Sequence, residues 1–333
     1  MLPVGRLTLE NFAYLKVTRL CLPLRIILIS VLFLTQHKLL ANQPIEQDMQ
    51  LRWYDEVQED VSDSITATAN WFDGFFGQDQ LDKNRATASA RLRVGYIPIE
   101  SDFARFENKF RLRARLPNLE DKWDVIVADY NDANEAKESD RVIDDIQGQK
   151  KNEDLSLAVR YIHSQDKNKF VSTRVGFAKG ADIYIRTRYR RDFNLTDNFT
   201  TEVEPALYYY VASGFGARFN LKFDYQSSVH GLWRQDNSWE YIQDEEDPEW
   251  RHNFLYYYQL NNHSALISGV FANGHIKYGY QLENKGIFSR YRVQALRSWL
   301  FFEIEPFIHY PDFRDFKQTP GIALRVEINF QQE

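Results

Sequence analysis

From Arg85 to the C-terminus, apolar and polar side chains alternate residue by residue, in runs of about ten separated by turn-forming clusters. The run from Trp299 divides by parity: Leu300, Phe302, Ile304, Pro306, Ile308 and Tyr310 share one face, and Glu303, Glu305 and His309 the other. After a polar loop, Ile322, Leu324, Val326, Ile328 and Phe330 stand against Gly321, Ala323, Arg325, Glu327 and Asn329. Side chains alternate faces along a strand, so each half is a strand with one apolar and one charged side. About ten residues is the length of a tilted strand that crosses a bilayer. Strands of soluble domains are mostly about five or six. The pair predicts the closing hairpin of a transmembrane, all-β, antiparallel barrel.

The earlier runs repeat the rule. Ala90, Leu92, Val94 and Tyr96 face outward with Arg91 and Arg93 inward; Phe110, Leu112, Ala114 and Leu116 oppose Lys109, Arg111, Arg113 and Arg115. Residues 116–121 form a turn, and Trp123, Val125 and Val127 open a third strand. Residues 131–153 are charged and aperiodic, which predicts a long loop. Strands follow near 154–163, 169–178, 181–191, 199–211, 216–226, 230–241, 251–260, 264–273 and 286–296, before the closing pair. The expected fold is an up-and-down barrel, residues 85–333, of about fourteen strands, with twelve as the alternative. The weakest strand is 230–241, where Arg234, Gln235, Asp236 and Asn237 sit together. An even count puts both barrel ends on the periplasmic side, and loops 131–153, 242–250 and 274–285 outside.

The inward faces carry charge ladders. A turn centred near Leu195 would set Arg188 opposite Glu202 and Arg186 opposite Glu204, with Arg190 on the same face. A turn at Arg297-Ser298 sets Arg292 opposite Glu303 and Arg290 opposite Glu305, and the final strand, which also carries Glu327, offers Arg325 to Glu305. Opposite charges directly across a strand pair attract. An Arg facing lipid at the midplane costs about 2–4 kcal/mol, so these charges must face inward. One reading makes the ladders braces that fix strand register. The other makes the interior a polar conduit, in which Arg91, Arg93, Arg111, Arg113 and Arg115, lacking an evident carboxylate partner, attract anions.

Composition changes the picture at the N-terminus. Aromatics make up 15% of the 333 residues, yet mean hydropathy is -0.52, as suits a polar interior inside an apolar, aromatic-ringed band. Arg6, Lys16, Arg19 and Arg25 precede the apolar run Ile26 to Thr35, which predicts an export signal over 1–41 cleaved after Ala41. Cleavage removes five Lys/Arg and one Glu, taking the net charge from -6 to about -10, together with Cys21, the only cysteine. An acidic exported chain without thiols excludes disulfides and thiolate metal sites and points away from nucleic acid.

Residues 42–84 form a separate segment. Tyr54, Val57, Val61, Ile65, Phe72 and Phe75 recur at helical spacing, with Asp55, Glu56, Glu59, Asp60 and Asp63 on the other faces. This periplasmic amphipathic helix is read as packing on the barrel mouth or on a neighbouring periplasmic protein, or as a plug in the lumen. Its acidic face argues against anionic lipid.

Other chemistry is sparse. Asp244, Glu245, Glu246, Asp247 and Glu249 are acidic but lack a calcium-loop spacing. Ser228 and His230 lie two apart, and His252 and His263 flank another strand. A barrel hydrolase needs a serine and a histidine in reach on the outer face, oriented by a third group, and no such group is legible. No catalytic residue, metal site or cofactor is assigned.

WLFFEIEPFIHYP followed by LRVEINF, with WFDGFFG, LPNLED and the tyrosine-rich strand near Phe254, resembles a group of uncharacterised exported proteins of Gram-negative bacteria, expected to be outer-membrane barrels. The resemblance implies outer-membrane lipid as surroundings and barrel-assembly machinery as a partner during insertion. It carries no catalytic residue. The function expected from the residues is a passive channel for polar or anionic solutes. The alternatives are a non-conducting, structural or partner-binding barrel and a lipid-modifying barrel enzyme.

Overall fold

The structure, a computed structural model of the chain, describes Trp71, Phe75 and residues 88–100, 102–115, 122–128, 156–166, 168–178, 182–244 and 247–332. The expected signal segment 1–41, the 42–84 segment apart from Trp71 and Phe75, the 116–121 turn and the 131–153 loop lie outside the described residues.

Fourteen strands follow in order: β1 Ala88–Tyr96, β2 Phe106–Arg115, β3 Trp123–Ala128, β4 Ser156–Asp166, β5 Lys169–Ala178, β6 Asp182–Thr196, β7 Phe199–Tyr210, β8 Gly214–Ser228, β9 Gly231–Ile242, β10 Glu249–Asn261, β11 Ser264–Ile276, β12 Tyr280–Gln294, β13 Leu300–Pro311 and β14 Thr319–Gln332. Each pairs antiparallel with its chain neighbours, and β1 closes on β14, with Leu92 opposite Ile328 and Arg93 opposite Glu327. Closure leaves no edge whose amides would need water, which is why such a sheet tolerates hydrocarbon.

Alternation decides which face is which. Leu92, Val94, Ile304, Leu324 and Val326 are between 38% and 47% exposed, whereas Arg93, Glu303, Arg325 and Glu327 are 4% or less. Aromatic pairs collect at both ends of this outward apolar band. Trp299 stacks on Phe330 at 5.5 Å and Trp123 meets Tyr161 at 4.8 Å toward the end holding the termini. Tyr96 meets Phe106 at 5.2 Å and Phe219 meets Trp239 at 6.0 Å toward the opposite end. Two aromatic girdles around an apolar band are the surface of a transmembrane barrel.

The 230–241 segment is the strand β9, and its polar run explains itself by parity: Arg234 and Asp236 are buried inside, while Gln235 and Asn237 take the outer face. The 274–285 loop is mostly strand instead. β11 runs to Ile276 and β12 starts at Tyr280, their pairing carried through a bulge at Asn273/Gly274. A register irregularity of this kind breaks alternation in the sequence without breaking the ladder.

The turn between β6 and β7 is displaced from the expected centre. Asp197 and Asn198, residues that favour turns, make it, with Thr196 facing Phe199. Arg188 therefore faces Ala206 and Arg186 faces Tyr208, not the glutamates. The displacement is an even number of residues, so every side chain keeps its face and only the partners change.

Candidate functional site in the charged interior

Two inward regions differ in charge balance. The first joins β12, β13, β14, β1 and β2 across the closure, through Arg290, Arg292, Arg325 and Arg93 with Glu303, Glu305, Glu327 and Glu107, each at most 8% exposed. Arg93 binds Glu327 at 2.6 Å, and Arg292 binds the same carboxylate at 2.8 Å. Arg292 also donates to Glu303, and Arg290 to Glu305. Arg325 lies 3.4 Å from Glu305 and 3.8 Å from Glu303. It also reaches across β1 to Glu107 at 2.9 Å. That reach depends on Gly95, the residue facing both Glu107 and Arg325 in register, where an added Cβ would stand 3.1 Å from the Glu107 carboxylate. Four arginines interlock with four glutamates, and at the rim Lys109 lies 3.2 Å from Glu107. Buried charges are tolerated when paired and hydrogen-bonded, and losing one partner is costly.

The second region lies on β2 to β6 and is cation-rich. In one row around the barrel, Asp124, Arg160, Arg174, Arg186 and Tyr208 face one another in register on five consecutive strands. Asp124 accepts from Arg160 at 2.7 Å and from Arg113 at 2.8 Å. Two rows nearer the termini, the Phe170 ring has the guanidinium carbons of Arg160, Arg188 and Arg190 at 5.4, 4.9 and 5.3 Å from its centroid. Arg188 comes within 3.8 Å of Glu204, diagonally across the strand pair. Glu202 pairs instead with Lys222 at 2.8 Å. Among the described residues, six arginines (113, 160, 174, 186, 188 and 190) share this wall with Asp124, Glu204 and Asp192.

Several arginines expected to lack partners have them. Arg93 and Arg113 are paired as above, and Arg91 lies 3.2 Å from Asn329 and 3.8 Å from Glu327. Arg111 is buried and faces Arg91 in register. Arg115 faces Asp124 in register, and its side chain lies outside the described residues. The overlooked partners, Glu107 and Asp124, were open to parity: Glu107 shares a face with Lys109, and Asp124 sits between outward Trp123 and Val125. Also overlooked were Asp224, which binds Arg234 at 2.7 Å, and Glu240, which accepts from Arg218 and from the Tyr208 hydroxyl at 2.6 Å.

The interior also has an apolar patch. Phe75 is buried with its ring 5.7 Å from Phe301 and 5.8 Å from the Arg292 guanidinium, and Trp71 stacks on it at 4.8 Å. Both belong to the same compact unit as the barrel. Phe301 is the first inward residue of β13, so these rings sit in the interior toward the end that holds the termini.

On the outer face, His252 Nδ1 lies 2.8 Å from Asn237 Oδ1. This is the orienting group that sequence reasoning did not find. β11 places Ala272 opposite His252, so the directly facing position carries no hydroxyl. His230 contacts Gln259, and His263 contacts Gln294, at turns. In the acidic loop Asp247 pairs with Lys277 at 3.3 Å, and no group of three metal-ligating side chains forms among the described residues.

No protein-family model and no curated protein matches the chain. Solved outer-membrane proteins are similar in fold. OmpT of Vibrio cholerae with loop L8 deleted is 9% identical, covering 73% of this chain and 98% of that one, at a TM-score of 0.46. The outer-membrane channel DcaP of Acinetobacter baumannii is 8% identical over 73% of this chain and 96% of that one, at 0.44. The KdgM porin in complex with oligogalacturonate is 9% identical over 73% and 99%, at 0.36. At these identities and scores the likeness is one of barrel architecture alone.

Proposed function

We propose that this chain is an outer-membrane barrel that passes polar solutes passively, anions in preference to cations. The observation that carries the reading is the charge imbalance of the inner wall: among the described residues, arginines outnumber carboxylates on β4 to β6. Rings of one charge sign are how pores select ions. Barrels of about eight strands are filled by their side chains, and those of 16–18 leave an aqueous channel, so fourteen strands lie where a restricted path is expected. In this reading residues 1–41 are removed on export, the chain sits in outer-membrane lipid, and assembly machinery inserts it. Purified full-length protein in planar bilayers should conduct, with a reversal potential in a KCl gradient on the anion side. Absence of conductance at all voltages, with residues 42–84 present or deleted, overturns the reading.

A second reading rests on Phe75. A segment anchored on Phe301 and Arg292 supports a barrel gated, or kept closed, from the periplasmic side. The same segment is then the surface offered to a periplasmic partner. Conductance that appears only after deletion of residues 42–84 separates the two.

A further inference from the structure

We infer that Lys169 and Arg191, on the lipid-facing wall toward the end that holds the termini, bind the phosphate of an anionic glycerophospholipid. The inference rests on the membrane setting and stands whether or not the barrel conducts. The two residues face each other directly across β5 and β6, and both are exposed. They are outward by parity, since the adjoining pair, Phe170 and Arg190, meets in the interior. Directly opposed like charges repel. Among the described residues neither forms an ion pair. Asp166, opposite Lys169 on β4, accepts instead from the Ser164 hydroxyl at 3.2 Å. The pair is also held in place. Arg191 lies over the Phe193 ring, its guanidinium carbon 5.4 Å from the centroid, a contact that favours the cation. The Asp192 amide donates to the Asn168 carbonyl at 3.0 Å, which ties the turn beside Lys169 to β6.

Position names the class of ligand. Tyr161, which meets Trp123 in the aromatic girdle, faces Thr173 on β5, and Lys169 is the second outward residue beyond Thr173 toward the termini. Aromatic girdles mark the depth of lipid headgroups, so the two cations stand at headgroup level. With an even strand count that level belongs to the periplasmic leaflet. Away from the termini the same two strands set Val175 opposite Ile185 and Phe177 opposite Ile183, each between 47% and 49% exposed. Thr173 and Thr187 lie between, their hydroxyl oxygens 3.1 Å apart, so these polar groups answer each other within the wall. A phosphate at the cations and hydrocarbon along the apolar rungs is the layout of a glycerophospholipid. A guanidinium offers phosphate a fork of two donors, and the ammonium adds a point charge. A zwitterionic headgroup would bring a third cation to a place that already holds two, which selects a lipid of net negative charge.

The test is lipid binding by the purified full-length protein in detergent, read by native mass spectrometry with phosphatidylglycerol and phosphatidylcholine of the same acyl chains. Wild type should bind its first phosphatidylglycerol about tenfold or more tighter than phosphatidylcholine, as two interfacial cations warrant. The double variant Lys169→Gln with Arg191→Gln should lose that preference. Arg191→Lys should keep part of it, because an ammonium retains the charge without the fork. Lys285→Gln removes an exposed cation from the outward face of β12, opposite Tyr310, and should leave the preference intact. Heat-modified gel mobility shows whether each variant is folded; should the double variant fail to fold, Lys169→Gln alone must still lower the preference. Equal binding of the two lipids by wild type, an unchanged preference in the double variant, or an equal loss in Lys285→Gln overturns the inference. So does displacement of the lipid by glycerol 3-phosphate at matched ionic strength, which would make a soluble phosphate ester the ligand.

Discussion

Replacing Glu327 by Gln at the barrel seam tests whether buried ion pairs hold the closure. Glu327 is fully buried, and one of its oxygens accepts from Arg93 Nε and Nη2 at 2.8 and 2.6 Å. The other accepts from Arg292 Nη2 at 2.8 Å and Asn329 Nδ2 at 2.9 Å. Glutamine keeps the volume but removes the charge and turns one acceptor into a donor facing a guanidinium. Arg292 retains Glu303, and Arg93 retains the longer 3.9 Å contact to Glu107. Breaking a buried pair from one side costs about 3–5 kcal/mol. At about 1.4 kcal/mol per power of ten, that is a shift of roughly two to three and a half powers of ten in the folding equilibrium. Urea unfolding in lipid vesicles, followed by tryptophan fluorescence and by heat-modified gel mobility, measures it. The double variant Arg93→Met with Glu327→Met should be less destabilised than Glu327→Met alone, because no isolated charge remains on that pair. A Glu327→Gln protein within about 0.5 kcal/mol of wild type, the range of ordinary surface substitutions, would refute the role assigned to the seam.

Four further outcomes follow from the same geometry. Leu324→Arg on the outward face of β14 should cost about 2–4 kcal/mol in the same assay if that face meets hydrocarbon, and a neutral result would place it in water. Gly216→Val should destabilise by about 1–3 kcal/mol. A Cβ there would stand 2.0 Å from the Tyr208 ring, whose displacement breaks its bond to Glu240, and an unchanged urea midpoint would count against that contact. Cysteines at Thr187 and Leu207, which face each other across β6 and β7, should cross-link under mild oxidant, while Thr187 with Val203 should not; the reverse result restores a turn centred at Leu195. Phe75→Ala should raise open probability in planar bilayers if its contact with Phe301 restricts the path, and unchanged currents would leave that residue a spacer.

Much of the wall was legible because parity is a local property. Outward Leu92 and inward Arg93 are told apart by two neighbouring letters, and fourteen repeats of that distinction give the strand number. Register was legible only where a turn announces itself. At Arg297-Ser298 the turn was placed well enough to oppose Arg292 to Glu303. At Asp197-Asn198 the cue was passed over for Leu195, and the Arg186 and Arg188 partners were wrong in consequence. The reach of Arg325 over Gly95 to Glu107 was not legible at all. It requires knowing that β14 lies beside β1, a pairing between residues more than two hundred apart that no local pattern contains.

Why the interlocked arginine–glutamate cluster sits at the seam follows from what each kind of register error costs. A slip of one residue between β1 and β14 turns Arg91 and Arg93 toward lipid, at about 2–4 kcal/mol each, so hydropathy alone forbids it. A slip of two residues keeps every face correct and is invisible to hydropathy. Only specific partners penalise it: moving Glu327 two residues along leaves it opposite Arg91 or Gly95 rather than Arg93. The strands joined last have no tight turn to fix their offset, as the hairpins do, so discrimination against even slips falls to the side chains. An interlocked set of four arginines and four glutamates supplies it where β1 meets β14. On β4 to β6, short connections already set the register of β4 on β5 through Asp166 and Lys169. Matched charges are not needed there for assembly, which leaves the composition of that wall less constrained than the seam's.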